Sequence, residues 1–189
     1  MNSLIQYDIA LFSRINGQWH TPFLDWLFPL LRNQFFWSPL YLFFVVFMLM
    51  NFGKKGLYWI AFFLVTFAIG DILSSHIIKP AVGRLRPCND PLLADTVRSV
   101  IRCGSGKSFT SSHATNHFAM AVFCFQTFLF SSLVWRWLFI FWALVVVYAQ
   151  VYVGVHYPLD IIGGGLLGTA IGLVTSRIFN AKVQLVSLN

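Results

Sequence analysis

The sequence predicts an all-α membrane protein, a helical bundle of about five transmembrane spans with short amphipathic N-terminal helices. Two compositional observations lead there: hydrophobic residues make up 58% of the 189 and charged residues only 10%. A soluble domain carries charge on about a quarter of its residues, so the shortage of charge decides the class. The third observation is the arrangement of the apolar residues, which fall into runs long enough to cross a bilayer core of about 30 Å.

Residues 3–15 put Leu4, Ile5, Ile9, Leu11, Phe12 and Ile15 near one helical face, with Gln6, Asp8, Ser13 and Arg14 mostly on the other. That pattern predicts an amphipathic helix lying on the membrane. A second short helix is expected from Pro22 to about Leu31. The first span is expected at 35–52, closed by Gly53, Lys54 and Lys55, and the second at 56–78 with Asp71 and His76 inside it. A polar stretch, 79–110, holds six of the 13 basic residues. The third span is placed at about Ser111 to Ser131 and the fourth at about Leu133 to Val153. Pro158 opens the fifth, at a position where a helix tolerates proline, and Gly164, Gly168 and Gly172 mark on it a stripe for close helix packing. The chain thus divides into surface helices (1–34), a transmembrane domain (35–182) with an outward polar loop, and a tail (183–189). No cleavable leader pattern opens the sequence, so the first span is expected to act as the insertion signal.

The net charge is +7, and all six acids are Asp. With no soluble basic face, nucleic acid is excluded as a partner, which leaves membrane lipids and anionic headgroups. Connecting the spans puts the polar stretch, the turn at His156 and the N-terminal helices on one side. Lys54, Lys55, Arg136, Arg177 and Lys182 fall on the other. The first side carries eight basic residues: Arg14, Arg32, Lys79, Arg84, Arg86, Arg98, Arg102 and Lys107. A bare positive-inside count would therefore make it cytoplasmic. Basic residues that bind an anionic substrate are not topological signals, however.

Three segments converge on that side: KPAVGRLRP with Lys79, Arg84 and Arg86; TSSH from Thr110 to His113; and VGVHYPLD ending in His156 and Asp160. The cations outnumber the acids that could pair with them, and an unpaired cation at the edge of hydrocarbon is costly. A bound anion is the simplest missing partner, and the opening turn of the third span offers backbone N–H groups to a phosphate.

These segments resemble, in order and spacing, the three signature motifs of the type-2 phosphatidic acid phosphatase and vanadium haloperoxidase superfamily. Lys79, Arg86 and Pro87 match the first motif. Ser111 and His113 match the second, with Thr110 and Ser112 in place of its Pro and Gly. His156 and Asp160 match the third, but Ala149 and Gln150 stand where that motif has Ser-Arg. The resemblance, over about residues 56–180, implies a lipid phosphatase in which His156 attacks phosphorus, Asp160 orients it, and His113 protonates the leaving oxygen. Lys79, Arg86, Ser111 and Ser112 would hold the phosphoryl oxygens. Gln150 would occupy the place of a second phosphate-binding arginine, with Arg84 as the possible stand-in for its charge. It also implies a metal-free reaction without cofactors, and His and Asp are too scattered here for ligand spacing.

Among the family's substrates undecaprenyl diphosphate is the expected one, with phosphatidylglycerol phosphate, phosphatidate and lipid A phosphate as the others. The expected location is a bacterial inner membrane with the site facing the periplasm. An oxidising compartment would pair Cys88 with Cys103 across the polar loop, while Cys124 reads as packing. His20, His76 and His117 lie outside the motifs and read as structural, as does Asp71. A haloperoxidase would be soluble with a fuller cationic cage. A silent binder would not need His113, His156 and Asp160 together.

Overall fold

A computed structural model describes residues 3–93 and 95–186, whose regular elements are all helical, with no strand among them. Helix α1 (Ser3–Ser13) runs into a wider π-type turn, Arg14–Gln18, and α2 (Pro22–Leu31) starts from Thr21, whose hydroxyl accepts the Leu24 N–H at 3.2 Å. Helix α3 (Ser38–Asp71) reverses at Gly53, where φ is +53° and ψ −122°. That backbone region is open to glycine and strained for other residues. Past the reversal the two limbs run side by side so closely that a side chain on Gly56 would strike the Met48 carbonyl. The rings of Phe44 and Trp59 face each other across them at 6.3 Å.

After α3 a π-type segment, Ile72–Ile78, leads into the single turn of α4 (Lys79–Val82), which stops at Gly83 with φ +67°. The polar stretch follows, stapled by a disulfide between Cys88 and Cys103 with their Cα atoms 5.9 Å apart. Helices α5 (Ser112–Thr127), α6 (Leu133–Tyr152) and α7 (Pro158–Lys182) complete the bundle.

Three stretches among the described residues are long and apolar enough to cross a membrane: Gln34–Val82, which contains the Gly53 reversal, Leu133–Tyr152 and Pro158–Lys182. The span expected at Ser111–Ser131 is shorter, 16 residues, and carries Asn116 and His117. The reason is its place. Eleven of its residues are buried, so neighbouring helices rather than lipid surround it.

The glycine stripe of α7 lies against α5. A Cβ on Gly164 would sit 2.7 Å from the Ser111 carbonyl, one on Gly172 2.6 Å from that of Ala119, and one on Gly168 would collide with that of Thr115. This contact sets the two motif-bearing helices edge to edge. Thr66 Oγ1 and Thr175 Oγ1, 2.9 Å apart, tie α3 to the same helix.

The surface-helix reading of α1 needs one correction. Leu4, Ile5 and Leu11 are exposed, whereas Asp8, assigned to the outward polar face, is buried beside Phe12. A carboxylate is stable there because it has dedicated donors, described below.

Gly168→Ala should destabilise the protein by about 1–3 kcal/mol through overpacking. Gly165→Ala, whose added methyl meets only the Phe118 ring at 3.5 Å, should be neutral. Thermal unfolding in one detergent checks the pair, and equal midpoints would contradict so close an α5–α7 contact.

Candidate active site

His156 sits in the short link between α6 and α7, 2% exposed, and Asp160 follows on the first turn of α7 with no exposed surface. The imidazole Nδ1 lies 3.5 Å from Asp160 Oδ2 and 3.4 Å from Ser108 Oγ. Such long contacts are common in a catalytic pair without substrate. Burial pushes the His156 pKa down to about 4, against the opposing pull of Asp160 and with help from Arg86 and Lys79. At neutral pH the ring is therefore neutral, and the pair is a histidine donating to a carboxylate rather than an ion pair. Nδ1–H faces Asp160, which leaves the Nε2 lone pair free.

Asp160 is satisfied from four directions. Oδ2 accepts the Ser108 hydroxyl and, at 2.8 Å, the Tyr157 N–H, and faces His156; Oδ1 accepts Arg84 Nη1 at 2.9 Å. Arg84 continues the network, donating from Nη2 to Asp8 Oδ2 at 2.6 Å and lying over the Tyr157 ring at 4.0 Å. Asp8 Oδ1 accepts the Leu159 N–H at 2.8 Å. Arg84 is thus committed to two carboxylates, and the expectation that it supplies phosphate with the charge missing at position 150 is overturned. The cause is Asp8, which α1 brings in from 76 residues away in sequence.

The remaining motif residues gather around His156. Lys79 and Arg86 act on its charge from close range, and His113 is similarly near His156, Lys79 and Arg32. Arg86 Nε donates to the Gly106 carbonyl at 3.0 Å, and its guanidinium faces Gly104 and Gly106 in the loop held by the disulfide. Asn89 Nδ2 fixes that loop further through the Gly104 carbonyl at 2.9 Å. Burial lowers the Arg86 pKa and Asp160 partly offsets this. Among the described residues neither Lys79 nor Arg86 has a carboxylate within ion-pair distance.

Ser111 caps α5, its Oγ accepting the Ala114 N–H at 3.4 Å and its own N–H donating to the Asp160 carbonyl at 3.1 Å. The second and third motifs are therefore bonded through the backbone. The opening N–H groups of α5, at Ser112 and His113, have no acceptor within the helix. The Ser112 hydroxyl belongs to a cluster with Ser75 (2.8 Å) and Ser74 (3.0 Å). Asp71, read as structural, accepts from Asn116 at 3.1 Å and Ser75 at 3.3 Å. His117 stays outside the chemistry, its Nδ1 2.9 Å from the His113 carbonyl and its ring against Trp142 at 4.9 Å. Gln150 is wholly buried, and its Oε1 accepts Arg32 Nε at 3.3 Å.

Beside His113 opens a cavity of about 430 Å³ lined mainly by Tyr41, Phe44, Phe63, Leu64 and Phe67, with Asp71 and Ser112 at its polar end. The same wall carries Asn116 and His117, so the apolar lining meets the first turns of α5. No group of three or more His, Cys, Asp or Glu side chains is close enough to hold a metal ion among the described residues.

Sequence reasoning missed Ser108, Asp8 and Arg32. None of the three falls on a motif position. Arg32 and Asp8 come from helices far from the motifs in sequence, and Ser108 precedes the second motif by two residues.

Comparison with known proteins places this geometry. The PAP2 superfamily pattern matches residues 57–184. Lipid A 4'-phosphatase of Bacteroides thetaiotaomicron is 35% identical over 87% of this chain and 73% of its own length. A protein of the same name from Porphyromonas gingivalis is 31% identical over 95% and 75%. Undecaprenyl-diphosphatase of Sulfolobus acidocaldarius is 29% identical over 92% and 79%. The crystal structure of a transmembrane PAP2 type phosphatidylglycerolphosphate phosphatase from Bacillus subtilis superposes with a TM-score of 0.73, covering 96% of this chain and 89% of that one. At 22% identity that last likeness speaks for the fold alone.

Arg84→Ala should destabilise the protein by about 3–5 kcal/mol, because Asp8 and Asp160 would stay buried without their shared cation. Denaturation in detergent measures this. Asp8→Asn should cost less, since Arg84 keeps Asp160; a silent Arg84→Ala would contradict the network.

Proposed function

We propose a reaction and a substrate for this chain, which belongs to the PAP2 superfamily and is a membrane lipid phosphatase of that type. The reaction is hydrolysis of a phosphate monoester through a phosphohistidine, and the substrate is an acylated sugar phosphate of the lipid A kind. The observation that carries it is the meeting of half-buried Lys79 and Arg86, which have no carboxylate within ion-pair distance, with His156, together with an apolar cavity that reaches Ser112 and His113.

The geometry supports the following steps. Lys79, Arg86 and the first N–H groups of α5 bind the phosphoryl oxygens and stabilise charge as it develops. His156 Nε2 attacks phosphorus while Asp160 holds Nδ1–H, so the imidazolium that forms is compensated by a carboxylate already fixed by Arg84 and Ser108. The P–O bond to the lipid breaks and His113, which enters this step as the imidazolium, gives the departing oxygen its proton. A sugar alkoxide is a poor leaving group, which makes that acid necessary. Water then gives its proton to His113 and attacks the phosphohistidine. The P–N bond breaks, inorganic phosphate leaves, and both histidines return to their starting forms.

Two relatives named lipid A 4'-phosphatase favour this substrate over the undecaprenyl diphosphate expected from the sequence. The more weakly similar undecaprenyl-diphosphatase supports that lipid as a second reading.

The charges support one side of the membrane for the site. Of the eight basic residues on the active-site face, Arg84 and Arg98 are neutralised by aspartates and Lys79, Arg86 and Arg32 surround the site. Arg14, Arg102 and Lys107 are left against five on the opposite face, which reverses the bare count and favours an outward, periplasmic site. The Cys88–Cys103 disulfide suits that compartment.

Purified protein should release phosphate from lipid A in detergent, in the presence of chelator, with vanadate as inhibitor. His156→Ala should lower turnover by about 10³-fold or more. If undecaprenyl diphosphate were the better substrate by kcat/KM, the lipid assignment would fall and the mechanism would stand. Dependence on an added divalent ion would sink the mechanism.

The pH profile gives a separate test. His156 must be neutral to attack, so the acid limb of kcat/KM should lie near pH 4, where the ring protonates. Because its folded pKa lies below the ordinary 6.5, its contribution to stability is present above 6.5 and lost as pH falls towards 4. An acid limb near 6.5 would show a solvated histidine instead.

A further inference from the structure

We propose that Arg32, at the C-terminal end of α2, is the second phosphate-binding arginine of the site, in the place that Gln150 leaves without charge. The proposal deepens the phosphatase reading above and rests on it. It assigns a substrate contact to a residue outside the 57–184 match, on a helix read from sequence as a surface element.

Position 150 is where the third motif calls for arginine. Gln150 points its Oε1 at Arg32 Nε, 3.3 Å away across 118 residues of sequence. Using Nε in this way leaves both Nη groups of Arg32 without a hydrogen bond to a described residue. Gln150 Nε2 is a buried donor that also has no partner among them. A planar guanidinium with two free Nη groups is the form that binds two phosphoryl oxygens at once.

The electrostatic setting points the same way. Arg32 is half-buried, and burial together with the neighbouring Arg86 guanidinium lowers its pKa. Its charge also reaches His113. Among the described residues it has no carboxylate within ion-pair distance. Two guanidiniums converging in a partly desolvated site repel each other unless an anion lies between them. Solvent exposure would be the cheaper arrangement for an idle arginine.

The helix that carries Arg32 is fixed firmly enough for the task. At its start Asp25 takes a two-pronged bond from Arg98, at 2.7 and 2.8 Å, and a third from the Tyr152 hydroxyl at 2.6 Å. At its middle the Phe28 ring packs against Tyr148 and Tyr152, with centroids 5.5 and 4.7 Å away. At its end Trp37 Nε1 donates to the Leu31 carbonyl at 2.7 Å. Asp25, Arg98 and Tyr152 are thereby positioning residues for Arg32, and Gln150 sets the angle of its guanidinium.

The test is orthovanadate affinity, read by its quenching of tryptophan fluorescence in the purified full chain, with phosphate release from lipid A measured in parallel. Arg32→Ala should weaken vanadate binding by about 10- to 100-fold, the value of a hydrogen bond to a charged group. Its unfolding midpoint should stay close to that of the wild type. The double variant Arg32→Ala with Gln150→Arg returns the charge to the motif position and should recover most of the lost affinity. Unchanged affinity in Arg32→Ala overturns the proposal while leaving the phosphatase reading intact, and so does a loss that Gln150→Arg fails to recover in a folded protein. If Arg32→Ala does not fold, Arg32→Lys decides: keeping the charge without the planar fork should weaken vanadate binding, and unchanged affinity there overturns the proposal. A wild-type protein that binds no vanadate overturns this proposal and the phosphatase reading together.

Discussion

Asp160 carries its carboxylate with no exposed surface, and a buried charge of that kind persists only when every lone pair has a donor. Meeting that requirement draws the chain together. Tyr157 supplies a backbone N–H, Ser108 a hydroxyl from the end of the polar loop, His156 its imidazole, and Arg84 a guanidinium from just beyond α4. Arg84 has a second guanidinium arm, and Asp8 on α1 takes it. One carboxylate at the head of α7 thus specifies where α1, the polar loop and the α6–α7 link must lie. The same bonds that make the fold unique also hold the His156 imidazole, so under the proposed reaction the catalytic and structural demands on Asp160 cannot be separated by substituting it.

The second constraint is steric. α5 and α7 approach so closely at Gly164, Gly168 and Gly172 that backbone meets backbone, and the Ser111 N–H reaches the Asp160 carbonyl. The His113 and His156 motifs are more than forty residues apart in sequence, yet this contact brings them to one depth. In a membrane, where burial of apolar surface does not drive helices together, close van der Waals packing and such polar ties carry the association. The short, polar-bearing α5 is tolerated because α3, α6 and α7 surround it.

What was legible in the sequence was whatever depends on local spacing. His156 and Asp160 lie one helical turn apart, Lys79 and Arg86 flank the sharp stop at Gly83, and Ser111 precedes His113 at a helix start. Gly53 with two lysines after it marked the reversal of α3. The contents of the shell around the site were not legible, because they are decided by contacts across 52 to 118 residues. Arg84 looked like a phosphate ligand because Arg86 is its neighbour. Only the fold shows that Asp8 and Asp160 already share it. Two signals could have been weighed more heavily. Asp8 is a lone acid in an apolar helix, and the absence of arginine at position 150 asks for a cation from elsewhere in the chain.

The division of the cations explains how one bundle serves both ends. Asp8, Asp25 and Asp160 neutralise Arg84 and Arg98, which hold the frame. Asp71 and Asp90 accept from neutral groups, Asn116 and Ser75 for the first and Tyr157 and Leu92 for the second. Lys79, Arg86 and Arg32 are therefore left with no described carboxylate within ion-pair distance. At an effective dielectric of about 20, two unit charges ~6 Å apart repel by roughly 3 kcal/mol. Such a gathering of like charges is unfavourable in itself, and its cost falls on the frame. Under the proposed reaction a phosphate would relieve that repulsion, and the donors would not need to reorganise as charge builds on the transferring group. Pairing any of these three with an added acid would stabilise the resting protein and weaken the site in the same step.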